Sequence, residues 1–566
     1  MAGMISDWRT HAANSKLALL IKALRPNDLE KWLDAATPRL PETVRLNPCR
    51  FDRDWTLQQL LNIGAKSIDW YTGDGGAFSL PWKKGRCNDE ASEVLIQNLH
   101  ATGRITRQES ASMLPVQALD VQPGHRVLDL CAAPGSKSTQ IAESLQGEGL
   151  LVASEPNSGR VNNLVSNIHR SGHVNVVVAQ HDGRHFPRVA APGFDRVLVD
   201  APCTGTGTTR KNTDVWSKWN PHSGRSMHRL QVDILRRGGM LLRPGGRMVY
   251  STCSIDPIEN EAVVANVLRQ SPWLNLIEID CKDIFPGLKT REGLTDWPLL
   301  NHEGHVISED EKLEQIHEDF LPPSDDLFRM ALPRCIRVWN DENEGSGFFL
   351  AVFEQNETDQ NYARSARHGL RDIGHSPKPI SPPPLSENDL DAVSLQEQEK
   401  MLEEWGLNLE GLALWKRGQF MHVSNVDIFD WMWKSKRTTA KHREYPGHHW
   451  HPIRVAQAGQ PGWKFRKGKN RLLSKGLHCL TNRVTKHRHR VSIQLIQRLL
   501  AGEEPGKSTL LEELPNLIDE RDGGILLDVE INGLIESYPA WIAGKLSLMM
   551  PDAEKFILAQ RLVNAS

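Results

Sequence analysis

The sequence has no apolar run of about 18 or more residues, so no transmembrane helix is expected. Met1 to Thr10 lacks the basic-then-apolar pattern of a secretory leader, and none is expected. Cysteine is sparse, 8 in 566 residues, and no CxxC pair occurs. That argues against a disulfide framework or a zinc ribbon. It points to a reducing, intracellular compartment, cytoplasmic or, in a eukaryote, nuclear. No GxGxxG occurs, so the strong dinucleotide signature is missing. Charge of one sign is missing too: the net charge is only −2.

The near-neutral total hides an asymmetry. Between Lys434 and Arg490 stand 16 Lys/Arg and a single acid, Glu444, a local net charge of +15. Acidic stretches such as Glu309 to Asp326 cancel it elsewhere. Local charge decides where a polyanion docks. Hydrophobic residues make up 39% and charged residues 24%, enough apolar content for a sizeable core.

Residues 1–110 read as a small α/β domain, expected to dock RNA, with short helices at Lys16 to Leu24 and Leu29 to Ala35 and a turn-rich segment at Tyr71 to Pro81. Residues 111–356 change pattern. Apolar strands end HRVLD (His125 to Asp129), LLVASE (Leu150 to Glu155), NVVVAQHD (Asn175 to Asp182), FDRVLVDAP (Phe194 to Pro202) and GRMVYSTCS (Gly246 to Ser254). Helical segments at Ser136 to Leu145 and Asn157 to His169 lie between them. This alternation predicts βαβ units and a Rossmann-like parallel sheet, completed by GFFLAVFEQ (Gly347 to Gln355). Residues 357–386 are polar and proline-rich, five prolines in the eight residues from Pro377 to Pro384, and read as a linker. Residues 387–566 form a second region that contains the basic segment.

In open α/β sheets, ligands bind at the carboxyl ends of the strands. The turn Cys131, Ala132, Ala133, Pro134, Gly135, Ser136, Lys137 ends the first strand. Its small residues allow close backbone approach, and the helix behind it offers amides to a carboxylate, such as the one S-adenosylmethionine carries. Glu155 is placed to accept from a ribose diol, Asp182 to receive an adenine amino group, and Asp200 ends the fourth strand. Taken singly, each acid is as readily a helix cap or a solvated group.

Cys203 follows the fourth strand and Cys253 ends the fifth. Free cysteines are most often buried hydrophobes. Two at adjacent strand ends, beside a carboxylate and a glycine-rich loop, suit covalent catalysis. Carbon 5 of cytosine is a poor nucleophile until a thiolate adds to carbon 6 and breaks the aromatic ring. Asp200 could hydrogen-bond the base, and Lys137 could orient either substrate.

LDLCAAPGSKSTQ, VDAPCTGTGTTRKN and VYSTCSIDPIENEAVV resemble the three most specific blocks of the Sun-domain family of RNA cytosine-5 methyltransferases. GRITRQESASMLP, WSKW, RCIRVW and GSGFF resemble its flanks, so the resemblance covers about Arg104 to Glu354. It implies an S-adenosylmethionine-dependent enzyme with Cys253 as nucleophile and Cys203 assisting product release. It implies that residues 131–137, Glu155, Asp182 and Asp200 hold the cofactor. Relatives often carry Asp or Asn where Glu155 stands. The block Arg210 to Trp216 looks most like the tRNA-modifying branch, which makes tRNA the expected partner. An rRNA substrate, or an RNA-binding assembly factor with a vestigial fold, are the alternatives.

The C-terminal region resembles PUA-like RNA-binding domains. Lys464, Arg466, Lys467, Lys469 and Arg471 are candidates for phosphate contacts, with Trp450, Trp463 and Phe465 as stacking rings. The plainer reading is a solvated basic face over core tryptophans. His442, His448, His449 and His451 invite a metal site, but without paired cysteines none is expected.

Overall fold

The computed structural model describes residues 8–187, 193–308, 316–356, 390–434, 453–466, 469–517 and 520–563, and the backbone of 437–438 and 444–445. The proline-rich linker, Lys467, Trp450 and the four histidines at 442–451 lie outside the described residues.

The central sheet has ten strands: Arg126–Asp129 (β1), Leu150–Ser154 (β2), Val176–Gln180 (β3), Phe194–Asp200 (β4), Leu242–Thr252 (β5), Leu274–Ile277 (β6), Arg291–Glu292 (β7), Ile336–Val338 (β8), Phe348–Gln355 (β9) and Arg454–Ala458 (β10). Their spatial order is β7-β8-β9-β5-β4-β1-β2-β3-β10, with β6 beside β9. Strands β1 to β5 run parallel. β9 runs antiparallel to β5. This is the α/β architecture expected of residues 111–356. Leu150 to Ala153 and Val176 to Ala179 are fully buried, as in a sheet covered on both faces. Strand order reverses between β1 and β4, which opens a crevice at their carboxyl ends.

Helices Ser136–Ser144 (α1), Ser158–Ser171 (α2) and Pro221–Leu241 (α3) flank the sheet. Asn157 caps α2 by accepting from the Arg160 amide. Asn220 and Ser223 form a reciprocal cap on α3, with Pro221 first in the helix. By contrast, α1 has no side-chain cap and starts from Gly135 at φ 113°. A side chain at Gly135 would sit 2.9 Å from Leu164 of α2.

The N-terminal region is two pieces. Helices Trp8–Ala13, Lys16–Leu24 and Leu29–Ala36 share a core with Val215, Trp216, Trp219 and Trp339 of the region 111–356. Residues 41–107 form a four-stranded antiparallel sheet with two helices. The stretch expected as turns is a strand from Ala77 to Lys83, in which Phe78 and Leu80 face inward. Gly73 to Gly76 dominated the local reading, and the tertiary pairing with Pro41–Leu46 prevails. Arg45, 1% exposed, reaches from this sheet to α1, where its guanidinium holds both oxygens of Glu143 at 2.7 and 2.9 Å.

The C-terminal region contributes an edge strand to the central sheet. β10 pairs antiparallel with β3, from Arg454 opposite Gln180 to Ala458 opposite Val177. Trp415, Ile428, Trp431, Ile453 and Val455 belong to the same apolar core as Val177 and Leu128. Asn425 donates to the Gly149 carbonyl at 2.6 Å, and Gln460 to the Ile168 and His173 carbonyls, each at 2.9 Å. The rest of the region forms a five-stranded sheet and a four-stranded sheet backed by the helix Asp552–Leu562.

Two neutral histidines lie at this seam. Burial, then Arg50 and Arg45, push His173 down to about 3. Burial, then His169 and Arg417, push His422 to about 3. Unfolded, both titrate near 6.5. Below that value the unfolded chain takes protons that the folded one refuses, so stability falls as pH falls from 6.5 towards 3. The slope is about 1.4 kcal/mol per pH unit for each histidine. Denaturant melts at pH 7.5 and 5.5 should therefore differ by roughly 3 kcal/mol from this pair, measured against a His173→Asn, His422→Asn variant. Equal pH dependence in the two proteins would exclude the pair as the cause.

Candidate active site

β4 and β5 are neighbours, with Asp200 opposite Ser251, so the segments that leave them start side by side. The Sγ atoms of Cys203 and Cys253 stand 3.3 Å apart. The glycine-rich loop makes this approach possible. Gly205 adopts φ 71°. The Gly207 amide donates to the Cys253 carbonyl at 2.9 Å, and a side chain at Gly207 would overlap the Gly347 carbonyl at 2.2 Å.

Both thiol loops hang from one buried carboxylate. Glu259, wholly buried, accepts from the Thr204 amide at 2.9 Å, the Thr204 hydroxyl at 2.5 Å and the Ser254 hydroxyl at 2.5 Å. Thr204 and Ser254 are the residues that follow the two cysteines. Gln231 of α3 adds a bond at 3.1 Å.

Beside the thiols, Lys137 donates to Asp200 at 2.7 Å and to Ser112 at 2.9 Å, and its ammonium lies 5.7 Å from the centre of the Phe348 ring. Asp200 also accepts from Ser251 at 2.8 Å. Burial alone would lower the Lys137 pKa, but the Asp200 charge and hydrogen bond leave it raised, so it stays a cation. The hydrogen bond with Cys253, then burial, hold the Cys203 thiol well above its ordinary value. Burial, then Asp129, do the same for Cys131. Burial raises Asp129 to about 7 against the opposing Ser138 hydrogen bond.

Asp129, Cys131, Lys137, Asp200 and Cys253 open on a cleft of about 780 Å³, which Cys203 does not line. Cys131, Ala132, Ala133, Pro134, Ser136, Lys137, Asp200 and Cys253 line it. The N-terminal region contributes Arg39 to Thr43, Lys84 and Arg107 to its lining, and Lys211 joins them. Gly135 lines a neighbouring pocket instead. Glu155, 2% exposed, accepts from the Asn157 amide and pairs with Arg160 at 3.1 Å. Arg160 also donates to the Ala133 carbonyl at 2.6 Å, which ties Glu155 to the turn. Asp182 pairs with Arg184 at 2.6 Å, and that hydrogen bond holds its carboxyl below the usual range. Neither Glu155 nor Asp182 lines the cleft.

Lys464, Lys469 and Arg471 do not line the cleft, and Lys467 and the Arg466 side chain lie outside the described residues. Lys464 and Arg466 belong to the strand Gln460–Arg466, and Lys469 and Arg471 to the next, Lys469–Leu472. Lys464 lies over the Phe420 ring at 5.4 Å, Lys469 is 3.7 Å from Asp522, and Arg471 contacts Met549. Trp463 does not offer a stacking face: it is fully buried against Trp405, because side chains alternate along the strand.

Sequence reasoning missed Glu259, Ser251 and the N-terminal wall. Glu259 stands inside VYSTCSIDPIENEAVV, but only the fold shows that it reaches across to the Cys203 loop. Arg39 and Lys84 lie in no motif, Arg107 stands inside GRITRQESASMLP without a role assigned to it, and only the fold brings the three to the cleft.

Residues 116–354 match the model of a family described as 16S rRNA methyltransferase RsmB/F. A multisite-specific tRNA:(cytosine-C(5))-methyltransferase of Saccharomyces cerevisiae is 40% identical over 282 residues, 47% of this chain and 40% of that protein. A tRNA (cytosine(34)-C(5))-methyltransferase of Drosophila melanogaster is 38% identical over 277 residues, 45% of this chain and 37% of that protein. The chain thus matches less than half the length of these relatives. Among solved structures, a methyltransferase homolog protein from Pyrococcus horikoshii is 26% identical, covering 63% of this chain and all of that one, with a TM-score of 0.45. No described helix is long and apolar enough to cross a membrane.

Proposed function

We propose that this chain, whose residues 116–354 match the RsmB/F methyltransferase family model, methylates carbon 5 of cytosine in RNA, with tRNA as substrate. One observation carries the reading: two thiols 3.3 Å apart, beside a Lys137–Asp200 pair, at the carboxyl end of the sheet.

Cys253 is the nucleophile of the proposal. Lys137 supplies a positive charge close enough to interact with Cys253. Cys203 is held protonated and hydrogen-bonded to the Cys253 sulfur. The Cys253 thiolate adds to carbon 6 of the cytosine, and carbon 5 becomes electron-rich. Asp200, fixed by Lys137 and Ser251, is positioned to hydrogen-bond the base. After methyl transfer the proton on carbon 5 must leave before the Cys253 sulfur is expelled. The bond to Cys253 was the largest influence raising Cys203. With Cys253 alkylated, that influence is lost, so Cys203 can release its own proton to solvent and, as the thiolate, take the proton from carbon 5.

The residues present fit S-adenosylmethionine. The turn 131–137 combines small side chains with the uncapped start of α1, which suits a carboxylate. Glu155 and Asp182 are the proposed partners of a ribose and an adenine. When bound, the cofactor supplies the methyl group. The antiparallel sheet at 41–107 is read as an RNA-docking wall and the C-terminal region as a PUA-like RNA-binding unit, using Lys464, Arg466, Lys467, Lys469 and Arg471.

The test incubates the full chain and S-adenosylmethionine with unmodified tRNA transcripts and, separately, with 16S rRNA, followed by bisulfite sequencing. Discrete protected cytosines in tRNA are expected. Protection in rRNA alone would move the substrate, and protection in neither would overturn the reading.

A further inference from the structure

A smaller pocket of about 220 Å³ adjoins the cleft. Arg107, Pro134 and Ser136 line both, so their walls are continuous. The rest of its polar wall includes His100, Thr139, Asn167 and Arg170, and no aspartate or glutamate lines it.

Of the two arginines here, only Arg107 has an ion-pair partner among the described residues, Glu42, which does not line this pocket. Arg170, in the last turn of α2, hydrogen-bonds Asn167 at 2.5 Å. It has no ion-pair partner among the described residues. Arg107 touches Glu42 through Nε at 3.3 Å, which leaves its two terminal nitrogens for another acceptor. Burial, then Arg107, hold Arg170 below its ordinary value. Burial, then Arg170, push His100 down to about 4. Like charges held around one cavity cost free energy that a bound anion offsets. Two guanidiniums offer forked donors that match phosphate oxygens.

We infer that this pocket seats a phosphodiester of the RNA strand, next to the nucleotide whose base enters the cleft, and that Arg107 and Arg170 hold it. The inference rests on the RNA reading above and deepens it. It assigns the point where the strand passes between α2 and the N-terminal sheet. The contact is to the backbone, so it fixes register without reading sequence.

Binding of an unmodified tRNA transcript to the full chain is measured from about 50 to 200 mM salt for wild type, Arg107→Gln, Arg170→Gln and Arg170→Lys. Each glutamine variant should bind several-fold more weakly, with a salt slope shallower by about 0.7 to 0.9. Arg170→Lys should recover the slope but not all the affinity, because a point charge replaces a fork. Calorimetry with S-adenosylmethionine reports folding. If a glutamine variant fails it, Arg170→Lys carries the test through its affinity. Free phosphate is the other source of this chemistry. Calorimetric binding of inorganic phosphate that needs Arg170, with tRNA affinity and slope unchanged in the variants, would overturn the inference. So would unchanged affinity and slope with no phosphate binding. In both cases wild type still binds and methylates tRNA, which separates this failure from failure of the RNA reading, where wild type does neither.

Discussion

Replacing Cys203 with alanine should leave the protein attached to its RNA through a bond that survives denaturation. The chemistry requires that the proton on carbon 5 depart before the Cys253 sulfur can be expelled. The hydrogen bond to Cys253 is the largest influence raising the Cys203 thiol, and alkylation of Cys253 removes it, which frees Cys203 to act as a base once deprotonated. Cys203 stands 3.3 Å from the sulfur that must leave. Cys203→Ala therefore permits addition and methyl transfer but stalls release. A retarded protein–RNA band on a denaturing gel, dependent on both Cys253 and S-adenosylmethionine, is the expected readout. Cys253→Ala should lower methylation by about four orders of magnitude or more, as loss of a nucleophile does. It should also abolish the band in the double variant. If Cys253→Ala methylated at the wild-type rate, or Cys203→Ala turned over freely without a band, the assignment of roles would fall.

The second large effect concerns the chain beyond residue 386. A fragment ending at Asn356 should fail to yield soluble, cooperatively melting protein. It would lose β10, which pairs with β3 from Arg454 to Ala458, and so expose a fully buried edge. It would also strip Trp415, Ile428, Trp431, Ile453 and Val455 from the core they share with the central strands. Each such side chain contributes about 1.5–3 kcal/mol of burial. Together these rival the roughly 5–15 kcal/mol that holds a domain folded. Soluble yield and a thermal melt of the fragment check this. A sharp transition at the full-length temperature would show that the C-terminal region is dispensable to the catalytic fold. Val455→Asp in the full chain probes the same seam and should lower the melting temperature.

Much of the catalytic half was legible because its signals are local. Val176 to Ala179 is a run of β-branched and small residues, and such a run reads as a buried parallel strand with or without its neighbours. Cys203 and Cys253 could be placed together because parallel strands that are adjacent in the sheet end on the same side. What escaped was long-range. Arg454 to Ala458 holds one valine and two alanines beside an arginine and a glutamine, too short a pattern to announce a strand in a sheet formed far upstream. Glu259 looked like one acid among several until the fold brought Thr204 to it. Trp463 read as a ring available to bases, because charge on its neighbours suggested exposure. A two-residue alternation can place a lysine outside and a tryptophan inside, and it does so here.

The pairing of β10 with β3 also sets a schedule for synthesis. Arg454 and Gln180, which face each other across it, are 274 residues apart in the chain. At about 5–20 residues per second, the ribosome needs roughly 14 to 55 s to deliver the second strand after the first. Throughout that interval the nascent catalytic sheet has an open flank, and a partner that shields β3 during translation would raise the yield of finished protein.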